Sequence, residues 1–203
     1  MIKLIGTTHL TPKEEIIRII ESEKPDVIGV ELCKFRLNLL VINPKLNQIA
    51  QEQLQEEGIM AKISNAIKKK AEEQKIEYGS DQITASKYAL DNNIPLVLLD
   101  RDATEINNLM NKIPQNEQIG FMQELQKFQE ISLTETIKEA NETETLNTLK
   151  TKYPVAYEFL IASREQVIIN NILKAIIKYP NKKILTFLGK GHVKSIGESL
   201  DGN

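Results

Sequence analysis

Cysteine, tryptophan and histidine are scarce in this sequence. The 203 residues include one cysteine, no tryptophan and two histidines. The lone Cys33 excludes an internal disulfide and a zinc site built from several cysteines, and it is typical of a reducing compartment. We therefore expect a cytoplasmic protein. Any chemistry that depends on imidazole has to use His9, His192 or both.

Excess charge and long apolar runs are also missing. Twenty-six basic residues against 28 acidic ones leave a net charge of −2. The chain therefore has no excess of positive charge that would attract nucleic acid. No apolar run approaches the roughly 20 residues of a membrane helix. The length and the apolar fraction of 41% are ordinary for a globular protein. We expect a single domain over residues 1–203, with no nucleic-acid partner and no membrane segment in this chain.

Short apolar runs predict four buried strands, each followed by polar residues. A helical pattern with Ile16 and Ile20 on one stripe separates the first two runs, which makes a βαβ unit with parallel strands. Helical patterns also cover residues 34 to about 74 and about 103 to 179. The sequence therefore predicts an α/β fold with a central parallel sheet, flanking helices and a large helical insertion before the last strand. The predicted strands lie near residues 2–5, 27–31, 95–99 and 184–188.

Both histidines follow an apolar run at the same spacing. Gly6-Thr7-Thr8-His9 follows the first predicted strand, and Gly189-Lys190-Gly191-His192 follows the last. Ligands bind at the carboxyl ends of strands in open α/β sheets. We therefore expect the two imidazoles to lie at one rim of the sheet.

Charged residues follow the other two strands. Glu31 comes directly after the second run, and Asp100-Arg101-Asp102 follows the third. Imidazoles and carboxylates together suit zinc, manganese, iron or cobalt, and such an ion makes bound water more acidic. Arg101 is a fixed cation suited to a carboxylate or a developing oxyanion. On pattern alone, Glu31 is equally consistent with a helix cap, and the charged triplet with an exposed turn or a structural ion pair.

The ordered set of motifs resembles the TraB/PrgY pheromone-shutdown family, which is related to the Tiki proteases, GumN and the erythromycin esterase-like proteins. The resemblance covers nearly the whole chain. It is carried by Leu4-Ile5-Gly6-Thr7-Thr8-His9, Val27-Ile28-Gly29-Val30-Glu31-Leu32, Leu98-Leu99-Asp100-Arg101-Asp102 and Leu188-Gly189-Lys190-Gly191-His192.

The resemblance implies metal-dependent hydrolysis of peptides, with manganese, cobalt or zinc as the divalent metal ion. His9, His192 and Glu31 match the family's metal and catalytic positions, and Arg101 matches its strand-end arginine. Arg164 lies where the family tends to have an arginine in a long helix. Where relatives often have a glutamate after a glycine, this chain has the shorter Asp81 after Gly79-Ser80, so no role follows for Asp81.

Two other functions remain open. A metal-independent, esterase-like hydrolase would use a histidine as general base on water, with Glu31 orienting it. A non-catalytic module would bind a signalling peptide and sequester it. We expect a peptide as substrate or ligand, with a homodimer as a further expectation. Many relatives continue into membrane helices, so the chain is either a soluble member or the soluble part of a longer membrane-associated protein.

The helical insertion is longer than a crossover between parallel strands requires. Insertions at the carboxyl ends of strands commonly act as lids or specificity elements. We therefore predict that it roofs the site and that Arg164 points toward His9 and His192. On pattern alone, a surface position for Arg164 is the ordinary alternative.

Overall fold

A computed structural model describes residues 1–8, 11–45, 79–134 and 139–202 of the chain. The strands are β1 (Ile2–Thr7), β2 (Val27–Val30), β3 (Leu96–Leu98) and β4 (Ile184–Gly189). The helices of the described segments are α1 (Lys13–Glu23), α2 (Lys34–Leu37), α3 (Ser80–Asp91), α4 (Ala103–Met110), α5 (Gln115–Thr134), α6 (Glu139–Lys152), α7 (Pro154–Tyr157), α8 (Ser163–Lys178) and α9 (Lys190–Asp201). Two π-helical segments, Asn38–Ile42 and Glu158–Ala162, follow α2 and α7 directly.

The strands form one parallel sheet in the order β1-β4-β2-β3. This confirms the predicted α/β fold. The last strand of the chain lies between the first two, so Thr7 pairs with Gly189 and Val30 pairs with Phe187. Since all strands run the same way, the residues that follow them emerge at one rim. β1 extends two residues beyond its predicted end, which places Thr7 in the sheet.

Helices cover both faces of the sheet. On one face, Ile16 and Ile20 of α1 and Ala85 of α3 pack against Ile28 and Phe187. On the other face, buried residues of α8 and α9 join the ends of β3 and β4; these are Ile168, Ile169, Ile172 and Ile196 with Leu99 and Leu188. The helices that follow β1 and β4 therefore lie on opposite faces. In open α/β sheets such a point of divergence is where ligands bind.

The insertion between β3 and β4 is helical, as predicted, and it has two parts. α8 packs on the sheet, whereas the preceding helices enclose a second apolar cluster. Its buried members are Met110, Ile113, Phe121, Met122, Leu149, Ala156, Leu160 and Ile161. The remainder of the insertion therefore has a core of its own.

Some predictions fall outside the described residues. They include most of the helical pattern predicted for residues 34–74, and His9 itself. Within the described ranges, no helix is both long enough and apolar enough to cross a bilayer.

Candidate functional site

Glu31 is the residue around which the rim is organised. It follows β2 and is 8% exposed. Its backbone N–H donates to Gln82 Oε1 (2.8 Å). One carboxylate oxygen accepts from Arg164 Nη2 (2.9 Å), and the other accepts from the backbone N–H of Gly189 (2.7 Å). Gly189 is the N-cap of α9, so the positive end of that helix favours an ionised carboxylate at this place.

His192 lies beside Glu31 and is held from the other side by Glu165. The His192 Nδ1 atom is 2.9 Å from Glu165 Oε1, and its Nε2 atom is 3.8 Å from Glu31 Oε1. Glu165 is buried, and its second oxygen accepts from Ser195 Oγ (2.8 Å). The ring therefore stands between two carboxylates, with Nδ1 directed at Glu165 and Nε2 directed at the space beside Glu31.

The charges around His192 favour its protonation. Burial disfavours the imidazolium form, but the negative charges of Glu31 and Glu165 outweigh that cost and raise the pKa of His192 above its ordinary value. Arg164 opposes the rise.

Arg164 reaches the rim from α8. Its Nε and Nη2 atoms donate to the two oxygens of Asp100 (3.0 and 2.9 Å), and Nη2 also donates to Glu31. The Asp100 side chain is fully buried. The charges of Asp100 and Glu31 outweigh the cost of burial and raise the pKa of Arg164. The surface position that the pattern alone allowed for Arg164 is therefore wrong, and its guanidinium lies against Glu31, which His192 also approaches.

A π-helical segment precedes Arg164 and Glu165, which are adjacent residues at the start of α8. An α-helix rotates about 100° per residue, and a π-helical turn accommodates one additional residue. The Glu158–Ala162 segment lies between α7, whose Ala156 is fixed in the second core, and the start of α8. Arg164 and Glu165 then leave α8 in different directions, one toward Asp100 and the other toward His192.

Two residues of the charged triplet are placed differently from Asp100. Asp102 is the N-cap of α4 and accepts from the Thr104 N–H (2.9 Å). The bonds from Thr104 lower the pKa of Asp102. Arg101 donates through Nη2 to the Ser163 carbonyl (3.0 Å) and through Nη1 to Glu105 (3.4 Å). Within the described residues, Arg164 is the arginine that pairs with Glu31, and Arg101 instead holds the start of α8.

Asp81 is fully buried beneath the rim. Its carboxylate is 2.5 Å from Thr7 Oγ1 and accepts from Gln82 Nε2 (3.1 Å). Gln82 in turn binds the backbone of Glu31. Asp81 thus connects the end of β1, two residues before His9, to the start of α3 and to β2.

His192 and Glu31 are spaced much as two ligands of one divalent ion would be. Two ligands at about 2.1 Å from one tetrahedral ion are roughly 3.4 Å apart, close to the 3.8 Å between His192 Nε2 and Glu31 Oε1. The Nδ1 contact with Glu165 is the outer bond that metal-bound histidines usually make. No group of three candidate ligands converges within the described residues, and the third predicted ligand, His9, lies outside them. The residues present fit two ligands of such an ion.

Sequence reasoning did not single out Glu165, Ser195 or Gln82. Ser195 follows His192 by three residues, so both lie on one side of α9, but nothing in that spacing indicates Glu165 as their partner. The only local signal for Glu165 is its adjacency to Arg164. Gln82 follows Asp81 in a stretch of α3 whose polar residues are buried.

Comparisons with known proteins add little about function. No family model matches the chain. The chain is 27% identical, over 211 aligned residues, to an uncharacterized protein of Methanocaldococcus jannaschii. The alignment covers 96% of this chain and 52% of that protein, so the chain spans about half the length of the curated relative it matches. The likeness to the TraB/PrgY family therefore remains a prediction that rests on the motifs.

Proposed function

We propose that the chain is a metal-dependent hydrolase that acts on peptides. The observation that carries this proposal is the position of His192, whose Nε2 atom faces Glu31 while Nδ1 is engaged by Glu165. The peptide as substrate class rests on the likeness to the TraB/PrgY family. The residues that would hold manganese, cobalt or zinc are His192, His9 and Glu31.

The metal ion would supply a more acidic bound water and would polarise the carbonyl of the scissile bond. We assign Glu31 to the metal or its water, from which it would accept a proton; Arg164 and Gly189 hold its carboxylate in place. Among the described residues, Arg164 is the arginine hydrogen-bonded to that carboxylate, so we assign it, rather than Arg101, the stabilisation of negative charge in the transition state.

The runner-up is a metal-independent hydrolase, and one observation favours it. A carboxylate bonded to Nδ1 orients an imidazole so that Nε2 can take a proton from water. Glu165, and not Glu31, makes that bond. In this version His192 is the general base, and the attacking water would be held beside Glu31, toward which Nε2 is directed.

Metal content and stabilisation test the leading version. The protein is purified without chelator and analysed for first-row metals, and its thermal unfolding is followed with added manganese, cobalt or zinc. We expect bound metal and a higher unfolding temperature, both weakened in His192→Ala. Glu14→Gln is the control, since this carboxylate is exposed on α1. Absence of metal together with no stabilisation would contradict the metal-dependent version.

Hydrolysis tests the function itself. A mixture of short peptides is incubated with the protein and followed by mass spectrometry, with and without a strong chelator. Cleavage that requires the metal and is lost in Glu31→Gln supports the proposal. Cleavage that survives the chelator and is lost in His192→Ala supports the runner-up. Peptides that bind for hours and stay uncut would indicate a sequestering module instead. Sedimentation of the same sample tests the expected homodimer.

A further inference from the structure

Glu165 is a buried carboxylate on the side of the His192 ring that faces away from Glu31. It lies in the first turn of α8, is 6% exposed, and contacts only two donors in the described part of the chain. These are His192 Nδ1 at 2.9 Å and Ser195 Oγ at 2.8 Å. An ionised carboxylate in such a place has to be satisfied by hydrogen bonds, and each of its oxygens has one of these partners.

The contact with Nδ1 limits which nitrogen of the neutral ring carries the proton. If the proton of a neutral imidazole were on Nε2, Nδ1 would present a lone pair to a carboxylate oxygen 2.9 Å away, and two acceptors would face each other. With the proton on Nδ1, the contact is a charge-assisted hydrogen bond. The lone pair of Nε2 then faces Glu31.

Ser195 prevents the carboxylate from turning away. His192 and Ser195 are three residues apart on α9 and so are neighbours on its surface. Glu165 spans both with its two oxygens. A carboxylate fixed at two points holds the ring plane as well as the proton.

We infer that Glu165 is a positioning residue that keeps the neutral His192 ring in its Nδ1–H form and presents the Nε2 lone pair to the site beside Glu31. This inference rests on the proposed function, since the lone pair would serve a metal ion or accept a proton from water. Glu165 itself touches neither substrate nor ion, and it acts through His192.

The test uses the full chain with its histidine rings labelled with ¹⁵N. Only two rings give signals, and a His9→Asn variant identifies that of His192. Spectra are recorded at a pH where the ring is neutral. We expect the Nδ1–H form in the unmodified protein and a large loss of it in Glu165→Leu, which has a similar size and no acceptor. In Glu165→Gln the amide oxygen can still accept from Nδ1, so this variant should retain the Nδ1–H form.

A readout of metal binding links the ring form to the site. Outer partners of this kind are worth about 10–100-fold in metal affinity, so zinc titrated calorimetrically should bind that much more weakly to Glu165→Leu. Glu165→Gln should lose less than Glu165→Leu. Glu158→Gln is the control, because this carboxylate is exposed on the preceding π-helical segment.

The outcomes separate this inference from the function it rests on. An Nδ1–H signal that is unchanged in Glu165→Leu overturns the inference, whatever the protein hydrolyses. A shifted ring form in a protein that neither binds zinc nor cleaves peptides overturns the proposed function, while the positioning role stands. If Glu165→Leu does not fold, Ser195→Ala replaces it. Freeing one carboxylate oxygen should then lower the fraction of the Nδ1–H form, and an unchanged fraction would count against the inference.

Discussion

Removal of Arg164 should destabilise the protein more than an ordinary surface change. The guanidinium makes a two-point bond with Asp100 and a further bond with Glu31. The side chains of Asp100 and Glu31 are 0% and 9% exposed. In Arg164→Ala both carboxylates stay in place with much of their compensation removed. Breaking a buried ion pair from one side costs about 3–5 kcal/mol.

That cost converts into a measurable change in unfolding temperature. For a chain of this length, each kcal/mol shifts the midpoint by about 2–4 °C, so the expected loss is roughly 6–20 °C. Arg36→Ala is a matched control, since it removes another arginine from the same carboxylate. The Arg36 side chain is 30% exposed, and its contact with Asp100 is long, at 3.4 Å. Its loss should therefore cost about 1 kcal/mol or less.

A second substitution separates charge from packing. In Arg164→Met combined with Asp100→Leu, the most deeply buried charge disappears together with its partner. Replacing both partners of a buried ion pair by apolar residues often leaves the stability unchanged. The double variant should therefore be more stable than Arg164→Met alone. Scanning calorimetry of the single and double variants measures this. A loss below about 1 kcal/mol in Arg164→Ala, or a double variant less stable than the single one, would refute the ion-pair reasoning. If the proposed function holds, peptide turnover in Arg164→Ala should fall further than the fraction of folded protein.

Four other outcomes are expected from the structure. A Cβ on Gly189 would lie 3.3 Å from Glu31 Oε2, so Gly189→Ala should lower peptide hydrolysis, by up to about 100-fold, at nearly unchanged stability. Gly191→Ala meets no atom within 4 Å and should stabilise the protein by about 0.4–1 kcal/mol in urea unfolding; a clear loss of stability there would contradict this. A Cβ on Gly29 would lie 2.8 and 3.1 Å from two buried side chains, so Gly29→Ala should cost about 1–3 kcal/mol in urea unfolding, and an unchanged midpoint would show that the sheet adjusts freely. Because the pKa of His192 is raised in the folded protein, the ring contributes stability below its unfolded value of about 6.5 and loses it as the pH rises through the folded value. The difference in unfolding free energy between the unmodified protein and His192→Gln should therefore shrink as the pH rises above about 6.5, and a growing difference would show that the sign is wrong.

The fold could be predicted because its signals are local. Each strand is an apolar run that ends at a glycine or a charged residue, and that pattern alone predicts a buried parallel strand. The lateral order of the strands has no such signal. β4 lies between β1 and β2, yet its sequence of apolar residues would suit any interior position.

The candidate site was only partly predictable for the same reason. Placing Glu31 and His192 at one rim needed only the rule that parallel strands end together. The partners of these residues come from far along the chain: Arg164 lies 133 residues from Glu31, and Glu165 lies 27 residues from His192. A π-helical segment also precedes both residues, and a helical pattern in a sequence does not show where a single additional residue is accommodated.

The roles of Arg101 and Arg164 follow from a reciprocal contact between two pairs of adjacent residues. Asp100 accepts from Arg164, while Arg101 donates to the carbonyl of Ser163. Each segment thus supplies one acceptor and one arginine, which fixes the start of α8 against the end of β3 at two points. The Arg101 side chain is thus directed at the start of α8, whereas Asp100 receives the arginine that also contacts Glu31. Because the next residue of α8 after Arg164 is Glu165, a shift of this helix would displace the partners of Glu31 and of His192 together. The insertion is therefore connected to the candidate site through the two groups whose geometry the proposed chemistry requires.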